Sequence, residues 1–185
     1  MSMSRIFADF EVRLQSERQR EIEAGARDYR RSEYAKIQML DRMAAQLGQP
    51  LKVNVMGAQV FQGTLREVGS GWLQLYSRTE SVLIPHSSVL WWEGGSRTSD
   101  INDSTVVRKL SFGYALRALC AARLPVRIFH TSDGASSEGT IERVGLDFVE
   151  MSSHGIEGNY RSHEVFGHRV VPIAHIGAVS SLSMG

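Results

Sequence analysis

Residues 50–68, PLKVNVMGAQVFQGTLREV, decide how this chain is read, because residues 125–144, PVRIFHTSDGASSEGTIERV, repeat them. Both stretches open on proline and then alternate apolar with polar residues, through Val53 and Val55 in one and Val126 and Ile128 in the other. Alternation of that period belongs to a strand buried on one face. Both turn at small residues, Gly57 or Asp133-Gly134, which is hairpin chemistry. Both then give Gly-Thr, an aliphatic residue, two charges in reversed order and valine: Gly63 to Val68, and Gly139 to Val144. The glycine removes a side chain where a long strand has to bend.

Working outward, the two copies stay in step. A second turn at Gly69-Ser70-Gly71 or Gly145-Leu146-Asp147 leads to an aromatic-led strand, Trp72 to Tyr76 or Phe148 to Met151. Val82-Leu83-Ile84-Pro85 and Val170-Val171-Pro172-Ile173 follow, then a last apolar strand, Val89 to Trp92 or Ile176 to Val179. Five short strands with a bend in the second make a small barrel, with Leu65, Leu73 and Leu75 inward in the first and Ile141, Val149 and Met151 inward in the second. Ser111 caps a short helix ahead of the second copy, and Pro125 ends it.

Ahead of the first copy, residues 1–47 carry nine basic and eight acidic side chains, one glycine and no proline. Apolar residues fall at helical spacing: Phe7, Phe10 and Leu14, then Ile22, Ala26 and Tyr29, then Ile37, Leu40, Met43 and Leu47. The pattern predicts one long helix or two, kinked at Gly25 and stopped at Gly48-Gln49-Pro50. An isolated polar helix is marginal, so it packs on its own chain or on a partner, and Ile22 and Tyr29 are its candidate contact residues. The expected class is therefore α+β, mainly β: a long N-terminal helix, then two helix-plus-five-strand small barrels of Sm-like or SH3-like type. The expected boundaries are a helical arm at 1–47, a first barrel at 48–93, a linker at 94–110, and a helix with the second barrel at 111–181.

The order of helix, strand, bent Gly-x-(Leu/Ile)-x-x-Val strand, strand, Ile84-Pro85-His86 and last strand resembles the Sm-like (LSm/Hfq-type) barrel over residues 40–92 and 111–180. Biotin-ligase C-terminal domains and other SH3-like or PRC-type barrels share much of the pattern. The whole chain also resembles a bacterial family, some of whose members are labelled Fis-type regulators, although the C-terminal part reads as strands rather than a helix-turn-helix. The Sm-like resemblance implies RNA binding and assembly by pairing of a last strand with a fourth strand. Two barrels in one chain would pair in this way internally and leave one open edge at each end. RNA-binding members carry an Asp where this chain has Gly69 and Gly145, and an Asn where it has Leu73 and Val149. Of the Tyr-Lys-His motif only His86 remains. The usual RNA pocket is thus largely absent.

Candidate nucleic-acid contacts are Trp72 and Phe148, as stacking rings, with His86 and the basic pair Arg108-Lys109. Trp91 and Trp92 are adjacent on one strand, so one faces inward, and the other is a candidate interface residue. His154, His163 and His168, with Glu157 and Glu164, lie in an insertion at 152–169, but their spacing matches no metal signature, and no metal or cofactor is expected. Cys120 sits among apolar helix residues and reads as an inert thiol. No phosphate loop and no nucleophile elbow occurs, so no enzyme is expected. With 21 Lys+Arg against 20 Asp+Glu the chain is no polycation. Charges near the N-terminus replace the apolar run of a secretory signal, and no apolar run is long enough for a membrane span, so a cytoplasmic location without membrane contact is expected. The functional expectation is a non-enzymatic binding or assembly module that self-associates. Two alternatives stand beside it: RNA or DNA binding through a non-standard surface, and a protein-partner adaptor that uses the N-terminal helix.

Overall fold

In the computed structural model, residues 3–78, 80–100, 106–154 and 165–182 are described, with side chains from residue 15 onward except 153–166 and 182. The chain divides into two units, Met1–Gln38 and Met39–Gly185. The first holds a single helix, α1 (Met3–Tyr34), which runs through Gly25 without a break. It stops at 35–38, where Lys36 and Ile37 donate to carbonyls only three residues back, so the turn tightens and ends.

The second unit opens with the short helix α2 (Met39–Ala44) and continues as β1 (Pro50–Val55), β2 (Gln59–Gly69), β3 (Trp72–Tyr76), β4 (Glu80–Pro85) and β5 (Val89–Gly94). Helix α3 (Phe112–Ala122) separates these from β6 (Pro125–His130), β7 (Ser136–Val144), β8 (Phe148–His154), β9 (Val165–Pro172) and β10 (Ile176–Leu182). Ser111 caps α3 as expected, its hydroxyl accepting from the Tyr114 amide at 3.3 Å. Strands β8 and β9 take residues at both ends of the expected 152–169 insertion, leaving 155–164 outside the described residues.

The repeat holds in every register. Gly63 pairs with Leu51 as Gly139 pairs with Val126, and Trp72 pairs with Pro85 as Phe148 pairs with Pro172. Both second strands carry a bulge after the inward aliphatic residue, between Leu65 and Glu67 and between Ile141 and Arg143. At position 63 a Cβ would stand 2.7 Å from the Tyr76 carbonyl oxygen, so glycine is required where β2 crosses β3. Leu65, Leu73, Leu75, Ile141, Val149 and Met151 are all buried, as the alternation predicts.

The two separate small barrels are not what forms. The ten strands make one antiparallel sheet in the order β5-β1-β2-β3-β4-β10-β6-β7-β8-β9. Strand β10 pairs with β6 on one side and with β4 on the other, Val179 opposite Leu83 and Ser180 opposite Val82. Each run of five would need its fourth and fifth strands to meet if it were to close on itself. The β4 edge is occupied by β10 instead, and its N–H and C=O groups are satisfied there. The "helix-plus" part of the expectation is also corrected: only α2, six residues long, stands ahead of the first run in this unit.

The cores interlock across the joint. Ala178 of β10 belongs to the cluster built on Val53, Leu65 and Ile84, while Trp72 and Leu83 belong to the cluster built on Leu116, Ile128 and Ile141. Ser88 reinforces the joint, its buried hydroxyl donating to Gly177 O at 2.6 Å. Among the described residues no helix is long and apolar enough to cross a membrane.

Candidate functional site

The expected nucleic-acid residues do not gather into one site. Trp72 is 3% exposed and its indole Nε1 donates to Leu110 O at 2.8 Å. Its ring lies where a side chain on Gly69 would be, so it closes the turn before β3 and offers no face to a base. The Phe148 ring likewise lies beside Gly145, but it is only half-buried. His86 is half-buried as well, and its amide donates to Gly71 O at 2.9 Å.

Arg108 serves the scaffold. Its side chain is 8% exposed, Nη2 lies 2.7 Å from Asp41 Oδ1, and Nη1 donates to Asp100 O at 3.2 Å. That ion pair ties the segment before α3 to α2. Lys109 alone of the basic pair is exposed. Ile22 and Tyr29 are exposed on α1. His163, Glu157 and Glu164 lie outside the described residues, while His168 Nδ1 stands 3.7 Å from Glu142 Oε2. Among the described residues no group of histidine, cysteine or acidic side chains is placed to hold a metal. Cys120 is half-buried and its thiol donates to Glu142 O at 3.2 Å.

The tryptophan pair divides as alternation requires. Trp92 packs on the first core, while Trp91 is 39% exposed under the Lys52 ammonium, 5.6 Å from its ring. Both belong to β5, which together with β9 forms the two ends of the sheet; among the described residues neither has an outer partner. Large apolar side chains stand exposed at both ends: Leu90 (57%) on β5 and Val170 (62%) on β9.

Repeat symmetry makes these ends comparable with the internal joint. β5 corresponds to β10, since Trp92 faces Val53 as Val179 faces Ile128; β9 corresponds to β4. Carrying the β10–β4 register onto β5 and β9 sets Trp92 opposite Val170 and Glu93 opposite Arg169. Glu93 and Arg169 are exposed, and they stand where the internal joint has the uncharged Ser180 and Val82. An opposite-charge pair directly across an antiparallel ladder contributes about 0.2–1 kcal/mol. Sequence reading did not align Glu93 with Arg169, although comparing the two copies residue by residue would have done so.

No protein-family model and no curated protein matches the sequence.

Proposed function

We propose that the chain is a non-enzymatic assembly module in which β5 of one copy pairs with β9 of the next, repeating between molecules the joint that β10 and β4 make within one. The observation behind this reading is that joint: the same scaffold already satisfies a fourth-strand edge with a last strand, in a defined register. Two features of the free ends support it. An unpaired strand edge is a template for another chain unless it is blocked, and these two carry complementary charges together with exposed apolar side chains. The contact is head-to-tail, so repetition gives a closed ring or a filament according to the rotation per step.

Mass measurement in solution tests the reading. The wild-type chain is expected well above its single-chain mass of 20.6 kDa. Glu93→Arg or Arg169→Glu alone should shift it towards single chains, and the two together should restore the assembly. A strict monomer at all concentrations would overturn the reading, as would single variants that assemble like wild type.

A further inference from the structure

A groove of about 700 Å³ is lined by the start of β1, the bend of β2, the end of β5, and the end of β3 with the residues that follow it. Three cations line it, Lys52, Arg66 and Arg78, against one carboxylate, Glu93. Lys52 is partly neutralised, its Nζ standing 3.7 Å from Glu93 Oε2. Arg66 and Arg78 are exposed and have no acidic partner among the described residues. The Arg66 guanidinium lies 5.3 Å from the centre of the Tyr76 ring, which forms the groove's aromatic wall.

The corresponding surface of the second five strands has the opposite character. By the shared register, Lys52 corresponds to Arg127, Gln62 to Glu138, Arg66 to Glu142 and Tyr76 to Ser152. There Arg127 is paired with Glu138 and lies 5.9 Å from the centre of the Phe129 ring, and Ser152 stands at the position of Tyr76. The scaffold therefore does not require a cation at position 66 or an aromatic side chain at position 76. Arg66 and Tyr76 are particular to the first half, whereas the cation at Lys52 has its counterpart in Arg127.

We infer that this groove binds a phosphate ester carrying a flat ring, of the size of a nucleoside monophosphate. Unpaired guanidinium groups present planar forks that match phosphate oxygens two at a time. The Tyr76 ring and the Arg66 plane beside it give a flat group a stacking surface. The volume lies within the range of small-ligand sites, about 300–1,000 Å³. The groove shares Glu93 and Gly94 with the β5 edge, so the test of binding is placed on Arg66 and Arg78, which are not on β5.

The test is calorimetric titration of the full chain at low salt with adenosine monophosphate, adenosine and inorganic phosphate, with amide shifts read by NMR. Adenosine monophosphate should saturate, perturb the amides of Gly63, Thr64 and Ser77, and bind at least about tenfold more tightly than either fragment. Arg66→Glu, which installs the residue of the second half, and Arg78→Glu should each weaken it by about tenfold or more. Both side chains are exposed, so the fold should survive, which the spectrum checks directly. Arg143→Glu, on the second half, should leave binding unchanged. No saturable binding at millimolar nucleotide, equal binding of adenosine, equal binding of inorganic phosphate, or indifference to both groove variants would each overturn the proposal.

Discussion

The two halves of the sheet share a register strand for strand and differ almost wholly in what they turn outward. Inward, Leu65 matches Ile141, Leu73 matches Val149 and Leu75 matches Met151, all buried aliphatic or thioether side chains of similar volume. Outward, Arg66 faces Glu142, Tyr76 faces Ser152, and Glu93 faces Ser180 across the alignment. The difference separates what the fold demands from what it leaves open. Positions that must fill a core converge, and positions in water diverge into a basic groove, an acidic counterpart and two dissimilar edges.

The sharpest way to break this comparison is in the cores. Leu65→Ala and Ile141→Ala should each destabilise the chain by about 2–5 kcal/mol, because both side chains are fully buried and leave cavities. Denaturant unfolding should show one transition for Met39–Gly185 in both variants, since Trp72 and Ala178 each belong to the core built mainly by the other half. Two separate transitions would mean that the halves are independent. Next in size is the joint between α2 and the segment before α3. Arg108→Ala removes the largely buried cation beside Asp41 and should cost about 3 kcal/mol in the same measurement. The aromatic residues that open β3 and β8 differ by one hydrogen bond. Trp72→Phe, which makes the first half resemble the second, should cost about 1 kcal/mol through the loss of the bond to Leu110 O. Smallest of all is Arg143→Ala: its ion pair with Glu150, at 3.8 Å, is largely exposed and should change stability by less than about 1 kcal/mol.

Much of this fold is written in local pattern. Alternation placed every inward residue named above, Gly63 marked the bend, and Ser111 marked the start of α3. Whether five strands close or remain open is a different kind of information. It depends on which edge meets β4, and ladder hydrogen bonds come from backbone atoms that every residue carries, so Val82-Leu83-Ile84 reads alike beside β5 or beside β10. The end of α1 was hidden for a related reason: residues 35–38 are Ala, Lys, Ile and Gln, none of them a helix breaker.

The site was less legible than the fold. A tryptophan opening a strand looks the same in sequence whether it stacks on a ligand or lies under Leu110, a residue far along the chain. Arg108 reads as one member of a basic cluster until the fold brings Asp41 to it. Lys52, Arg66 and Arg78 are spaced with no motif and come together only because β2 bends at Gly63 and returns beside β1 and β3.

The joint between β4 and β10 also sets an order on events during synthesis. Pro85 completes β4 long before Ile176 opens β10, and all of α3 and β6 to β9 must leave the ribosome in between. For that interval the nascent chain carries an unpaired, apolar edge, Val82-Leu83-Ile84, of the kind on which neighbouring chains aggregate. Truncated fragments ending before Ile176 are therefore expected to leave that edge uncovered and to collect in the insoluble fraction on expression.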